Sequence, residues 1–501
     1  MTDLSRRRHP AVAAALSFFI PGLGQAYSGR WRLGLFLGVP FVLLVIAAVA
    51  AYFLAAEALR NAIFSSTFLI GLFIANAILL VWRGVAIGHA GLATRPDPLQ
   101  APEAEVAPVH RSPWAIGAVV VLLAATVGMH GYAAIVIDRL NGTLEQVFSG
   151  GHQTEDGGGA TTGDPEDPLD EEAPLNEPTY EWDGTDRINF LLIGVDSGPG
   201  RDQQLTDTIL VVSVDPVRQD AVMVSVPRDT GFMPLPDTSV YADGLFPQKI
   251  NELATAADAS PQLWCPDLPE NAECGIRTLE RSVALYLGIP IQYYARIDLV
   301  GFTQLIDAVG GVNLCLPGRL IDDQYRLPGS TEFGIALPAG CRTYSGEEAL
   351  AYSRIRKGYI ELPDGTREEQ NDFKRSERQQ EVLLALQREL TAGDLFFELP
   401  GFLDAVAETV QTDFPRSSAG DLASLLPLIT RSDIERVVLG LPEFVQPPLD
   451  PVNNYLLTPI RDAIATEMRR LFGTDLQGWY VGGTDAVPPP FSPDQSPSPA
   501  S

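Results

Sequence analysis

The fold of the larger part of this chain is decided by three apolar runs, Asn189–Val195 (NFLLIGV), Thr208–Val214 (TILVVSV) and Ala221–Val226 (AVMVSV). Nearly continuous apolar runs of this length, bounded by polar turns, are typical of buried strands. The connection Asp215–Asp220 is too short for a crossover helix, and Asp196–Asp207 is Gly-rich and polar. We therefore predict that the three strands form an antiparallel meander.

Such a meander brings three charged residues to one edge of the sheet. Asp196 ends the first strand, Asp207 begins the second, and Arg228 follows the third. Two carboxylates and a guanidinium at one edge could hold a hard divalent cation and a phosphate. The alternative is that they are ordinary polar residues at strand ends, which usually reach solvent.

Two helices further along the chain carry a second set of charges. The first is predicted over Ser345–Arg354, where Ser345 and Glu348 have the spacing of a capping box. This helix delivers Arg354 at its end and Arg356 just beyond it.

The second helix is predicted over Asn371–Leu390, with Val382, Leu386 and Leu390 on its inward face. Going back along this face in steps of three and four residues gives Gln379, Arg375 and Asp372, and Arg378 lies beside it. Burying such groups is costly unless they are paired or meet a ligand. The excess of arginines predicts a multiply charged anion such as a diphosphate. An internal salt bridge between Asp372 and Arg375 is the alternative.

The composition excludes several other chemistries. All five histidines lie before residue 153, so the domain that follows cannot use a Ser-His-Asp triad, a His-ligated zinc or a histidine base. The net charge of -28 argues against a nucleic-acid-binding protein, because phosphate backbones require a basic surface.

The first 140 residues predict a membrane region with three spans, at about Leu33–Ala56, Ile63–Trp82 and Trp114–Ile137. Arginines concentrate on two flanks, with Arg6, Arg7, Arg8, Arg30 and Arg32 before the first span and Arg83, Arg95 and Arg111 between the second and third. This bias predicts a cytoplasmic N-terminus and a C-terminal domain outside the cell membrane. Ala11–Ile20 is short and predicts an interfacial or re-entrant piece, whereas a full crossing would reverse this orientation.

Two segments without apolar periodicity complete the predicted organisation. Residues 141–186 form a linker, which is acidic and disordered from about residue 150, and residues 485–501 form a Pro/Ser-rich tail. Residues 187–484 lie between them as the folded extracytoplasmic domain.

All four cysteines lie in that domain, which suggests disulfides if it is exported. The local pairings are Cys265 with Cys274 and Cys315 with Cys341, although four cysteines permit three connectivities. Zinc is the rival interpretation, but the CxxC spacing of a zinc site is absent.

The charged motifs together resemble those of the LytR-CpsA-Psr family of bacterial envelope proteins. The resemblance runs from about Arg187 to Phe472 and depends on several motifs in family order. The matching stretches are Phe190–Asp196 (FLLIGVD), Leu205–Leu210 (LTDTIL), Val224–Thr230 (VSVPRDT), Lys249–Glu252 (KINE), Gly301–Val312 (GFTQLIDAVGGV), Gly346–Arg356 (GEEALAYSRIR) and Asp372–Gln380 (DFKRSERQQ).

The resemblance implies an α/β fold, an α/β/α sandwich with a mixed central sheet, here preceded by the all-α transmembrane region. It also implies an apolar channel for a polyprenyl chain. The implied reaction moves a polyprenyl-diphosphate-linked glycopolymer onto a peptidoglycan acceptor and releases polyprenyl phosphate. The same site could instead serve a polyprenyl diphosphatase, or a non-catalytic scaffold or regulator that binds the lipid carrier.

The resemblance also implies roles for individual residues. Asp196 and Asp207 would bind Mg²⁺, and Asp372 would orient an arginine or assist the incoming hydroxyl. The diphosphate would be held by Arg228, Arg354, Arg356, Arg375 and Gln379. Arg378, beside the same helix face, is a further candidate for binding the substrate.

Two departures from the family pattern lie near the implied site. Gly198 stands where the family commonly has an arginine, and Arg201 is the candidate substitute. Lys357–Gln370 is an insertion between the two arginine motifs, expected to cover the site or to alter the choice of acceptor.

Overall fold

The structure of the chain is a computed structural model. It describes residues 9–92, 113–148, 182, 184–196, 205–236, 240–266, 273–327, 331, 333–391, 404–407, 409–419, 434–448 and 455–473. The chain divides into two compact units, Met1–Gly142 and Thr143–Ser501.

The first unit is helical. Its helices are α1 (Pro10–Phe19), α2 (Leu23–Tyr27), α3 (Trp31–Leu54), α4 (Ala56–Ile63), α5 (Ser66–Leu92) and α6 (Pro113–Val147), the last of which runs into the second unit. Among the described residues, three helices, α3, α5 and α6, are long and apolar enough to cross a membrane. Helix α5 begins later than the predicted second span, because α4 occupies the connection, and it continues further.

Helix α1 is a short element packed beside α5, and a Ser–Gln pair joins it to its neighbours. Ser17 Oγ donates to Gln25 Oε1 at 2.9 Å, and Gln25 Nε2 donates to the carbonyl oxygen of Ala86 at 2.8 Å. The turn between α1 and α2 packs closely against Gly34 of α3. A Cβ on Gly34 would lie 2.8 Å from the Gly22 carbonyl oxygen.

The second unit is built on a six-stranded sheet. The strand order is β13-β6-β1-β2-β3-β14, and the strands are β1 (Ile188–Asp196), β2 (Leu205–Asp215), β3 (Asp220–Ser225), β6 (Tyr293–Asp298), β13 (Val410–Thr412) and β14 (Glu435–Val438). Strands β1, β2 and β3 pair antiparallel in sequence, which confirms the predicted meander. Strands β6 and β14 pair parallel to β1 and β3, so the sheet is mixed.

The β1–β2 ladder contains a bulge near its polar end. Gly194 pairs with Thr208 and Val195 pairs with Thr206, so Asp207 has no partner residue on β1. A bulge of this kind re-aims the extra residue and disrupts the ladder locally. Gly194 is needed there because a Cβ at this position would lie 2.7 Å from Thr208 Oγ1.

Helices cover both faces of the sheet, which confirms the α/β/α sandwich. They are α7 (Ile250–Asp258), α8 (Pro261–Trp264), α9 (Cys274–Leu287), α10 (Leu299–Ala308), α11 (Gly346–Arg354), α12 (Asp372–Thr391) and α13 (Arg461–Phe472). One core joins β1 residues Leu191 and Ile193 to α7, α9 and α13. On the opposite face, Gln380 of α12 donates to Ser225 Oγ at 2.9 Å.

The remaining strands are short and form small sheets separate from the six-stranded sheet. They are β4 (Met233–Pro234), β5 (Leu245–Phe246), β7 (Val312–Leu316), β8 (Arg319–Asp322), β9 (Ile335–Leu337), β10 (Gly340–Tyr344), β11 (Tyr359–Glu361), β12 (Arg367–Glu369), β15 (Val445–Gln446) and β16 (Thr458–Pro459). The Lys357–Gln370 insertion forms the β11–β12 hairpin, and β11 pairs with β8.

Both predicted disulfides are present. Cys265 is bonded to Cys274 at the start of α9, and Cys315 is bonded to Cys341 across the paired strands β7 and β10. The zinc interpretation is therefore excluded, since no free cysteine remains.

Candidate functional site at the polar edge of the sheet

The two strand-end carboxylates lie at the same edge, as the meander predicts. Asp196, the last residue of β1, pairs with Leu205 of β2. Asp207 lies two residues after Leu205 on the same strand. Each carboxylate meets an arginine from another element. Arg228 Nη1 lies 2.7 Å from Asp207 Oδ1, and Arg354 Nη2 lies 3.4 Å from Asp196 Oδ1.

Arg354 and Arg356 lie at and just beyond the end of α11, and a capping box fixes where this helix begins. Ser345 Oγ accepts from the Glu348 backbone N–H, and the Glu348 carboxylate accepts from the Ser345 N–H, which confirms the capping box. The helix ends at Arg354, and the buried Ile355 separates it from Arg356. Arg356 Nη1 reaches to 3.8 Å from Asp372 Oδ2.

Helix α12 begins at Asp372, close to its predicted start, and brings a carboxylate and a guanidinium into the group. Arg375 Nη1 lies 3.0 Å from Asp372 Oδ1, so the internal ion pair that was the alternative interpretation does form. Arg375 Nη2 also donates to the backbone carbonyl oxygen of Asp207 at 3.2 Å. Arg228 Nε lies 3.7 Å from Asp372 Oδ1, which links this pair to the strand edge.

We call these seven residues the edge cluster: Asp196, Asp207, Arg228, Arg354, Arg356, Asp372 and Arg375. Four arginines against three aspartates leave one net positive charge. This excess of positive charge is smaller than the α11 and α12 motifs alone predict, because the strand edge adds the carboxylates of Asp196 and Asp207. Alternating charges at a partly exposed edge can exchange protein partners for the oxygens of a diphosphate.

The pKa values of the two inner arginines, Arg228 and Arg375, shift in opposite directions. Burial alone would lower the pKa of Arg228, but the charges of Asp207 and Asp372 more than offset it, so the pKa is raised. Burial lowers the pKa of Arg375, the nearby Arg228 adds to this, and Asp372 opposes it. Arg375 is the more deeply buried of the two, with its side chain 5% exposed.

The other predicted residues have different surroundings. Arg378 is buried and donates to the carbonyl oxygens of Tyr352 and Ile355, on either side of Arg354. Gln379 Nε2 donates to the Ser353 carbonyl oxygen at 3.3 Å. Leu390 is exposed, contrary to prediction, because the buried face of α12 ends near Leu386. Gly198 and Arg201 lie outside the described residues.

A second ion pair next to the edge cluster was not foreseen. Asp229, adjacent to Arg228, is buried, and its Oδ1 lies 2.6 Å from Lys249 Nζ. The Lys249 ammonium lies 5.9 Å from the centre of the Tyr455 ring. Two features of the sequence could have pointed to Lys249. It is one of only three lysines, and it begins the matching stretch Lys249–Glu252 (KINE).

The carboxylates fit a magnesium ion only as part of a larger ligand set. No group of three or more His, Cys, Asp or Glu side chains that could hold a metal occurs among the described residues. Mg²⁺ is often held by one or two carboxylates with substrate phosphates and water completing an octahedron. Asp196 and Asp207 are two oxygen donors at one edge, and each is paired with an arginine in this structure.

Comparison with known proteins identifies the second unit. The profile of the LytR_cpsA_psr family matches residues 158–446, more than half of the chain. The chain is 28% identical over 266 residues to the polyisoprenyl-teichoic acid–peptidoglycan teichoic acid transferase TagU of Halalkalibacterium halodurans, covering 53% of this chain and 74% of that protein. It is 30% identical over 233 residues to the regulatory protein MsrR of Staphylococcus aureus, covering 46% of this chain and 58% of that one.

Solved structures of similar proteins were also found. The crystal structure of Bacillus subtilis TagV has 22% identity and a TM-score of 0.43, covering 57% of this chain and 96% of that one. A structure of TagT bound to LIIa-WTA has 21% identity and a TM-score of 0.41, with 60% of this chain and 95% of that one covered.

Proposed function

The chain belongs to the LytR_cpsA_psr family, and on that premise we propose that it transfers a polyprenyl-diphosphate-linked glycopolymer to peptidoglycan. The edge cluster is the observation that carries this proposal. Its guanidinium groups come from three separate parts of the chain and converge beside two strand-end carboxylates. The name of the TagU relative supports the same class of reaction.

The proposed reaction is a displacement at the sugar-linked phosphorus of the diphosphate. An acceptor hydroxyl oxygen forms a bond to that phosphorus, and the bond from phosphorus to the bridging oxygen breaks. Polyprenyl phosphate leaves with the bridging oxygen and its electron pair, while the hydroxyl proton is lost to a base. Negative charge therefore grows on the leaving phosphate.

The arginines of the edge cluster would stabilise that charge. Charge-assisted hydrogen bonds aimed at a leaving group contribute most where water is excluded. Arg375 is already fixed at Asp372 and at the Asp207 carbonyl, so its guanidinium is oriented before substrate binds. Arg228, Arg354 and Arg356 are more exposed and would exchange an aspartate partner for a phosphate oxygen.

We further propose a magnesium requirement. Asp196 and Asp207 would hold the ion, and when bound it would neutralise diphosphate charge and orient the phosphates. Asp372 lies within 4 Å of three arginines of the edge cluster, so it would orient them or accept the proton of the incoming hydroxyl.

The proposed location is the cell membrane, with a cytoplasmic N-terminus and the second unit outside the cell. Helices α3, α5 and α6 have the length and apolarity of membrane spans. The arginine distribution supports this orientation. The two disulfides support an oxidising compartment for the second unit.

The test is a transfer assay with the full chain in nanodiscs, a polyprenyl-diphosphate-linked saccharide and a peptidoglycan acceptor. We expect a saccharide–phosphate–peptidoglycan product and an equal amount of polyprenyl phosphate. Arg354→Ala should abolish transfer, whereas Arg218→Ala, an exposed arginine in the β2–β3 turn, should not. Release of polyprenyl phosphate and saccharide phosphate at the same rate without acceptor would identify a diphosphatase instead. Tight carrier binding without turnover would identify a scaffold.

A further inference from the structure

Arg378 contacts protein acceptors through each of its three guanidinium nitrogens. Nε donates to the Tyr352 carbonyl oxygen at 2.7 Å, Nη2 donates to the Ile355 carbonyl oxygen, and Nη1 donates to Gln370 Oε1. The residue is 4% exposed. Two of these acceptors belong to the C-terminal end of α11, where a cation is favoured by the helix dipole.

Gln370 is the last residue of the insertion that forms the β11–β12 hairpin. Its backbone N–H donates to the Gly358 carbonyl oxygen at 2.8 Å, which closes the base of the hairpin. Its side chain is buried and also donates to the Glu368 carbonyl oxygen at 3.1 Å. The base lies tightly against β8, because a Cβ on Gly358 would lie 2.0 Å from the Ile321 carbonyl oxygen.

Arg354 and Arg356 lie on the backbone that Arg378 holds. The acceptors Tyr352 and Ile355 are on either side of Arg354, and Ile355 directly precedes Arg356. A movement of this segment would therefore shift both guanidinium groups relative to Asp196 and Asp372. Displacements of about 1 Å at a catalytic group can reduce turnover about 100-fold.

We propose that Arg378 and Gln370 are positioning residues that connect the insertion hairpin to the Arg354–Arg356 segment. This inference depends on the proposed transferase function. It assigns Arg378 to the support of the site rather than to the diphosphate, since its guanidinium is buried among protein acceptors. It also gives the insertion a structural role, because Gln370 holds Arg378 and Arg378 holds the C-terminal end of α11.

The test compares Gln370→Ala, Gln370→Glu and Arg378→Met in the full chain, with Glu369→Gln as the matched control. Glu369 is exposed on the same hairpin, next to Gln370. We expect Gln370→Ala to lower kcat about tenfold while the dissociation constant for the carrier changes less than about threefold. Gln370→Glu keeps an acceptor for Arg378 and should restore kcat. Amide hydrogen exchange of residues 350–358 should increase in Gln370→Ala and return in Gln370→Glu.

The outcomes separate this inference from the proposed function. If the wild-type chain transfers and Gln370→Ala matches it in kcat and in amide exchange, the positioning role is overturned. If the wild-type chain transfers nothing, amide exchange and carrier binding decide alone: faster exchange in Gln370→Ala supports the positioning role, and unchanged exchange overturns it. Where Arg378→Met folds, it is combined with Gln370→Ala in a double variant. The loss of kcat in the double variant should be smaller than the two single losses combined.

Discussion

Arg375 donates a hydrogen bond to the backbone carbonyl of Asp207, the residue that bulges from β2. The bond joins the first turn of α12 to the strand edge, and the same guanidinium lies 3.0 Å from Asp372. The bulge frees the Asp207 carbonyl from the ladder, and Arg375 occupies it. The irregular strand and the helix are thus fixed to each other at the edge cluster.

Replacing Arg375 by lysine should disrupt both contacts at once. A lysine has a single ammonium and cannot reach two acceptors with the planar fork of a guanidinium. We expect Arg375→Lys to reduce kcat about 100-fold and Arg375→Gln to reduce it at least as much. Transfer kinetics of the full chain measure this, and Arg218→Ala is the control. Near-normal turnover in Arg375→Lys would mean that positive charge alone is sufficient.

Removing magnesium should stop transfer if Asp196 and Asp207 hold the ion. Chelation with EDTA should lower the rate at least tenfold, as expected for loss of a Lewis acid at a diphosphate, and added Mg²⁺ should restore it. Asp207→Asn should raise the magnesium concentration needed for half-maximal rate. A full rate in EDTA would exclude this part of the proposal.

The pair Glu280 and Asp413 should make stability depend on pH. Both contact Arg277, whose Nη1 lies 3.1 Å from Glu280 and 2.9 Å from Asp413. Burial, with the neighbouring Asp413 charge, raises the pKa of Glu280 above its ordinary value of 4.5. A raised folded-state pKa contributes stability below pH 4.5 that is lost as pH rises through the folded-state value.

The comparison is between wild type and Glu280→Gln. Between pH 5 and about pH 8, the melting temperature of wild type should fall relative to that of the variant. Thermal unfolding of both proteins in the same detergent, at matched ionic strength, measures the difference. A constant difference across this range would show that Glu280 does not hold a proton in the folded state.

The two disulfides should stabilise the second unit to different extents. Cys315 and Cys341 are 26 residues apart in sequence, whereas Cys265 and Cys274 are 9 apart. The longer closed loop should contribute about 1 kcal/mol more, because it restricts the unfolded chain more strongly. Denaturant unfolding of the double Cys→Ser variants tests the order, with dithiothreitol-treated wild type as the comparison. Equal losses would favour local strain or packing over chain entropy.

The sequence predicted the meander and the edge because these follow from short-range constraints. A connection as short as Asp215–Asp220 permits only antiparallel pairing, and that pairing brings Asp196, Asp207 and Arg228 to one side. The capping box and the start of α12 were likewise local signals. The ion pair between Asp372 and Arg375 followed from their spacing on one helix.

The features that were missed depend on long-range contacts. A bulge of one residue at Asp207 leaves no periodic signal in an apolar run. The pair Asp229–Lys249 joins two loops that only the folded chain brings together. Arg375 and Arg378 are arginines on one helix in the sequence, and only the folded chain shows that Arg378 contacts Tyr352, Ile355 and Gln370.

The bond between the Gln370 N–H and the Gly358 carbonyl brings the two ends of the β11–β12 hairpin together at one point. Because β11 pairs with β8, it is the turn between Glu361 and Arg367 whose length can change while the two ends of the hairpin stay in place. Its exposed tip at Asp364 and Gly365, where Gly365 has a φ of +83°, is an accessible place to insert a fluorophore or an epitope. A label there would lie at the opposite end of the hairpin from Gln370, which contacts Arg378.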